Sequence, residues 1–341
     1  MSEVKIEIEG VTIEGFEATS IQRNLDSIAD GFTFSGAYDP DSIFAYLLEP
    51  PQKVVKLYID DKLYITALSE KWKPGFEQNS TITSIECRTR AGALVDCTTT
   101  DSVCTYKDMT LSAIASQVCN PFGISAFFPE DDSPPIKLAQ RCPTDTVFSF
   151  LKKLACNYEF IITSTPEGNI KFTKPSPDAS GAPVDSLQQG VEPLISVDCD
   201  IDYTKAYSEY TATGQFPGVP DAIATTVDTT MTQFRPIMFK ADAKDQGSLQ
   251  LAAEWRKTRA LVSGEVTVVV DGWRNRKGDL WQENTIITLA APNAYLFNPF
   301  NYLIKNVTLD KTESAGETAT LTLVMPESFT GVFPAKLPWL R

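Results

Sequence analysis

The chain has 341 residues and a mass of 37.5 kDa, room for roughly two to three domains with buried cores. Its 43% hydrophobic, 22% charged and 10% aromatic residues describe a folded globular protein. Histidine is absent, which excludes a Ser-His-Asp triad, a Cys-His dyad, a histidine metal site and a histidine proton shuttle. Thirty Lys plus Arg against 44 Asp plus Glu leave a net charge of −14, the wrong sign for a protein that grips DNA or RNA through phosphates.

From residue 1 to about 97 the apolar pattern has a period of two, the mark of a β domain. Val4, Ile6 and Ile8 alternate with charges. Val54 to Ile59 and Leu63 to Leu68 flank Asp60-Asp61-Lys62 as a hairpin, and Thr81 to Arg90 alternates again. Asp39 to Gln52, with Pro40, Pro50 and Pro51 around an apolar cluster, interrupts the pattern and reads as a helical turn. The N-terminal segment Met1 to Gly10 lacks the basic and apolar regions of a signal peptide, so synthesis and residence in the cytoplasm are expected. No stretch approaches the ~18 consecutive apolar residues of a membrane helix, and no membrane segment is expected.

Between about 98 and 178 the period changes. Leu111, Ile114, Ala115, Val118 and Cys119 form one helix face, with Asp108 or Thr110 as N-cap and Pro121 and Gly123 as the stop. A second helix begins after Pro143, with Thr144 or Asp145 as its cap and Val147, Leu151, Leu154 and Ala155 as its buried stripe. Tyr158 to Thr163 and Ile170 to Thr173 then make a hairpin, which completes a small α+β domain. Residues 179–193, rich in Pro, Gly and Ser, read as a linker. From 194 to 330 strands return at Tyr207 to Gly214, Val266 to Val270, Thr285 to Leu289, Tyr302 to Leu309 and Ala319 to Met325, with one helix around Ser248 to Leu261. A tail, 331–341, ends the chain.

Candidate chemistry is sparse. Asp198, Asp200, Asp202 and Glu209 have the spacing of an EF-hand loop, but Tyr203 stands where the loop needs glycine, so carboxylates on one face of a strand are expected. Gly272 to Gly278 carries Lys277 before its second glycine, which breaks the Walker order and leaves a hairpin turn. Glu130, Asp131 and Asp132 lie beside Pro134 and Pro135 and read as a solvated loop. The seven cysteines, Cys87, Cys97, Cys104, Cys119, Cys142, Cys156 and Cys199, are odd in number and form no C-x-x-C pair, so reduced, mostly buried thiols are expected. Basic residues gather at Arg256, Lys257 and Arg259 and again at Arg274, Arg276 and Lys277, as a solvated face or a dock for an acidic partner. Trp255, Trp273, Trp281, Phe297 and Phe300 in the same region read as core and loop anchors. No catalytic, cofactor-binding or metal-ligating residue is assigned.

Several strings occur in a familiar order: Ser20-Ile-Gln-Arg23 with Phe32 to Gly36, Leu94-Val-Asp-Cys97, Thr110-Leu111, and Cys119-Asn-Pro-Phe-Gly123. Ser208 to Gly214, Phe234 to Met238 with Ala241-Asp-Ala243, and Asp271-Gly-Trp273 running through Gly278 to Trp281 and Asn284 follow. Together, over roughly residues 1 to 330, the chain resembles the Mu-type baseplate hub proteins of contractile-tailed bacteriophages. The resemblance implies a mixed, β-dominated fold: two β-barrel-like tube domains, 1–97 and 194–330, separated by the small α+β domain. It also implies a homotrimer whose six quasi-equivalent units adapt a sixfold tail tube to a threefold central spike. The implied partners are the tail tube protein, the spike protein and other baseplate proteins, with no cofactor. The implied place is the virion baseplate, with DNA passing through the bore without specific binding. An acidic wall suits such a conduit, because it repels phosphates. The apolar tail Phe333 to Arg341 is shorter than the family's polar one, and reads as a frayed end or a docking strip. The rival readings are a hub of a bacterial contractile injection or secretion apparatus, and a tail-associated peptidoglycan hydrolase using paired carboxylates.

Overall fold

The computed structural model describes residues 2–13, 17–37, 50–77, 80–99, 104–128, 132–158, 160–174, 182–216, 219–229, 231–241, 245–261, 264–330 and 337–339. The turn expected around 39–52 falls largely outside these residues. The first strands are β1 (Val4–Ile8), β2 (Val11–Ile13), β3 (Ala18–Asn24), β4 (Gly31–Ala37), β5 (Val54–Ile59), β6 (Lys62–Glu77) and β7 (Ser80–Thr89). Next come helix α1 (Ala93–Asp96), β8 (Thr105–Tyr106), α2 (Leu111–Cys119), β9 (Ala126–Phe127), β10 (Ala139–Gln140), α3 (Val147–Cys156), β11 (Ile161–Ser164) and β12 (Ile170–Thr173). The remainder comprises β13 (Asp185–Gln188), β14 (Leu194–Asp200), β15 (Glu209–Phe216), β16 (Val219–Val227), β17 (Pro236–Lys240), α4 (Gln246–Leu261), β18 (Glu265–Asp271), β19 (Ile286–Ala291), β20 (Leu296–Thr312), β21 (Gly316–Val324) and α5 (Glu327–Thr330). The fold is β-dominated, as the alternation predicts.

Packing groups these elements into two compact units that interleave along the chain. The first is Met1–Pro175 with Val269–Asn284 and Ile304–Leu321; the second is Ser176–Val268 with Thr285–Leu303 and Thr322–Arg341. Segments far down the chain therefore return to the first unit, across the sequence boundaries at 97, 178 and 193.

In the first unit the strands run in the order β3-β4-β7-β6-β5-β1-β2, and the far end of β20 pairs antiparallel with β3 from Asn306↔Asn24 to Thr312↔Ala18. Alternate residues such as Ile6, Ile8, Val55, Leu57 and Ile59 are buried while their neighbours are not, which is the period-two pattern made physical. Asp60 and Asp61 close the β5–β6 hairpin with positive φ values of 49° and 62°, the conformation a tight turn demands and Asp tolerates.

The α+β domain has its own core of Leu111, Ile114, Ala115, Val118, Phe150, Leu151 and Phe172, joined by Ile28. Thr110 caps α2, its hydroxyl accepting from Ala113 N at 3.3 Å. The second cap differs from expectation. Thr146, not Thr144 or Asp145, accepts from Ser149 N at 3.2 Å, because the Asp145 carboxylate is occupied by Cys142 N and Lys153. The hairpin β11–β12 runs from Ile161↔Thr173 to Ser164↔Ile170.

One guanidinium ties the first unit together. Arg23 on β3 donates to Glu283 Oε1 at 3.1 Å, to the Tyr64 carbonyl at 3.2 Å and to the Ser164 carbonyl at 3.1 Å. Asp30, fully buried, lies 4.0 Å from Arg23 Nε and accepts from Asn24 N and the Ser164 hydroxyl. Burial pushes the Asp30 carboxyl up to about 6 and Glu283 adds to the rise, against the opposing pull of Arg23 and the Ser164 hydroxyl. Because the folded value lies above the unfolded one near 3.8, Asp30 binds its proton more tightly in the native state. Its contribution to stability is full below about pH 4 and is lost as pH rises through about 6. Urea midpoints measured from pH 7.5 to 5 are expected to rise more for the wild type than for Asp30→Asn; parallel curves would refute this.

In the second unit β13 pairs parallel with β19, and β19 pairs antiparallel with the near end of β20. The strand β13 lies inside the stretch read as a linker. Its four residues are too few to show a period among flanking Pro, Gly and Ser, yet Asp185 and Leu187 are buried. A separate sheet, β16-β15-β17, carries α4 on one face, where Ala212, Ala222, Ala224, Leu249 and Ala253 pack.

Candidate assembly surfaces

The sequence decoys resolve into ordinary structure. Asp198 and Asp200 lie on one face of β14, while Asp202 falls in the following loop and Glu209 begins β15, so the four carboxylates do not share one strand. Gly272 to Gly278 is a turn: Gly272 and Gly278 have φ of 80° and 90°, and Asn275 Oδ1 accepts from Lys277 N and Asp279 N. Within it Arg274 pairs with Asp60. Asp132 is less solvated than expected. Its carboxylate accepts from Ser112 N at 3.1 Å and from Ser133 N at 2.7 Å at the start of α2. Burial pushes this carboxyl up, but the Ser112 hydroxyl and the backbone donors outweigh it and hold it below its ordinary value. Glu130 and Asp131 lie outside the described residues.

The cysteines are free, but only Cys87 and Cys119 are buried; Cys97, Cys142 and Cys156 are exposed. The correction follows from position, since these three flank helix ends where no apolar period constrains them. Trp273 and Trp281 are core residues, each 1% exposed, and Trp273 donates its indole N–H to the Asp310 carbonyl. Arg256 lies over the Phe239 ring at 5.0 Å and Lys257 donates to the Val227 carbonyl, so these two cations partly serve the α4 packing.

What is left exposed is sheet edge and apolar surface. Among the described residues the strand β14 pairs with one neighbour, β18, and its other row of backbone donors and acceptors has no strand beside it. A groove of about 390 Å³ runs beside it, lined by Leu194, Ile195, Cys199, Ala291 and Tyr295 among others. Ile195 and Tyr295 are 58% and 68% exposed. In the first unit β6 runs past the end of β5, whose last hydrogen bonds join Lys53 and Ser69. From Glu70 to Glu77 its partner among the described residues is β7, and Phe76 there is 83% exposed. The sheet β16-β15-β17 also leaves Ile223, Val227 and Met238 exposed on the face away from α4. No sequence period announces these surfaces, because an exposed Ile or Phe in a strand looks like a core residue.

Comparison with known proteins follows the same line. Residues 91–174 match the family described as baseplate hub protein gp44-like, second domain, and residues 247–331 match Mu phage baseplate assembly protein GpP, fourth domain. Over 343 residues the chain is 24% identical to the baseplate hub protein gp44 of Escherichia phage Mu, covering 96% of this chain and 88% of that protein. The tail protein from Neisseria meningitidis MC58 has a similar fold, with a TM-score of 0.84 at 20% identity over 98% of this chain and 99% of that one. So has the 43 kDa tail protein of prophage MuSo2 from Shewanella oneidensis, with a TM-score of 0.81 at 22% identity over 96% and 99%. The α+β domain matches a baseplate hub model and the closing β segment a baseplate assembly protein model, and the phage Mu relative spans both: the chain is similar to the Mu-type baseplate hub proteins.

Proposed function

We propose that the chain is a structural hub of a contractile phage-tail baseplate, acting as a homotrimer that adapts a sixfold tail tube to a threefold spike. The observation that carries this reading is the near full-length likeness to the phage Mu baseplate hub protein. The β segments 1–97 and 194–330 supply two tube-like domains per subunit, with Val269–Asn284 and Ile304–Leu321 joining the first, so three subunits present six. The α+β domain stands between them in sequence. Tube, spike and other baseplate proteins are the partners, the virion baseplate is the location, and DNA passes the acidic bore without being held. The mechanism is geometric. Its parts are interfaces, and open strand edges and exposed apolar residues suit that role better than a reactive centre.

Light scattering on the purified protein tests the oligomer. Three times the chain mass of 37.5 kDa is expected, and a monomer at every concentration refutes a trimer held by this chain alone. A cell-wall zymogram tests the absence of catalysis: clearing refutes the purely structural reading.

A further inference from the structure

The second unit carries an apolar projection and an apolar hollow that do not meet within one chain. The sheet β16-β15-β17 turns alternate residues away from α4. On that face the register sets Ile223, Thr213 and Lys240 in one row, Thr225, Thr211 and Met238 in the next, and Val227, Glu209 and Pro236 in the third. Phe234, two residues before Pro236, is 78% exposed, and Met238, Ile223 and Val227 are each more than half exposed. Charge does not define this surface. Lys240 and Glu209 sit in opposite end rows, and Arg235 beside Phe234 is engaged with the Tyr207 ring and the Thr204 carbonyl. The hollow is the groove of about 390 Å³ beside β14, in which Asp198 is the one charged lining residue. All of its lining residues belong to the described segments. A cavity of about 150 Å³ holds a benzene ring, so the groove has room for a phenyl group. Tyr295 presents its exposed ring at this groove from a backbone φ of 62°, a left-handed conformation that costs a bulky residue energy.

We propose that Phe234 of one copy seats in the β14 groove of a second copy, forming a junction between subunits. Its ring then packs against the Tyr295 ring and the Ile195 side chain, both exposed in the single chain. Projection and hollow are different surfaces of the same chain, so the contact is head-to-tail, the kind that closes into a ring. The area suits a second copy as the occupant. Phe234, Met238, Ile223 and Val227 on one side, and Tyr295, Ile195 and Val191 on the other, each offer on the order of 400 Å² of apolar surface, the non-polar share of a standard interface of ~800 Å² per partner. The inference rests on the trimeric reading above and names a contact within it.

Two measurements on the full chain test the junction. Phe234→Ala is expected to raise the trimer dissociation constant at least about tenfold, measured by sedimentation, with an unchanged far-UV circular dichroism spectrum because the side chain lies outside the cores. Ala294→Trp, which fills the groove from its own wall, is expected to do the same. The second measurement identifies the occupant. With p-benzoylphenylalanine in place of Phe234, irradiation of the trimer is expected to give a covalent dimer cross-linked within residues 189–199 or 291–295 of the other copy, read by mass spectrometry. Cross-links to another segment, or only within one chain, overturn the junction, as does a trimer unmoved by either substitution; each of these leaves the trimeric hub standing. A wild type that is monomeric at every concentration overturns both.

Discussion

Arg23→Met lowers the stability of the first unit by roughly 3–5 kcal/mol, the range for breaking a buried ion pair from one side. The guanidinium is 10% exposed in its side chain and meets two carboxylates and two carbonyls contributed by the β3–β4 turn, β6, β11 and the segment around Glu283. Methionine fills the volume but donates nothing. Asp30 and Glu283 keep their burial and lose their cation, and the Tyr64 and Ser164 carbonyls each lose a donor. A fall in the urea midpoint checks the direction. The double variant Arg23→Met/Asp30→Asn is expected to lose less than the two single losses combined, because one stranded charge has been removed with its partner. Strict additivity would show that the two residues do not interact.

Phe172→Ala costs roughly 3–5 kcal/mol by emptying the centre of the α+β domain. The ring is fully buried on β12, stacked on Phe128 at a centroid distance of 4.2 Å and edge-on to Phe160 at 6.4 Å. Its loss leaves a cavity among side chains anchored on three segments, which cannot all collapse inward. Phe172→Leu is expected to lose less, since most of the volume is kept. Differential hydrogen exchange on the full chain should place the loosening in α2, α3 and β11–β12. Equal exchange in both variants would refute the cavity account.

The local elements were legible in the sequence where a period ran long enough to be seen. The helix face from Leu111 to Cys119 and the hairpin at Asp60-Asp61 follow from spacing and turn chemistry, and both form as read. The strands β16 and β17 were hidden, because β16 alternates alanine with exposed Ile223 and Val227 and so blurs inside with outside. Long-range pairing was hidden for a different reason. Nothing in the residues near Arg23 announces Glu283 as its partner across 260 positions, since register at that range is set by the whole sheet. The candidate surfaces were the least legible. An open edge is defined by a neighbour that does not come, which only the strand order reveals.

The return of Ile304–Leu321 to the first unit sets a timetable for synthesis. Strand β3 waits for the far end of β20, so its partner emerges from the ribosome nearly three hundred residues after it. The first unit is therefore begun first and finished late, and the nascent chain carries a bare β3 edge through most of translation. A fragment cut at the end of the α+β domain would keep that edge bare for good, so such truncations should precipitate while the full chain stays dispersed.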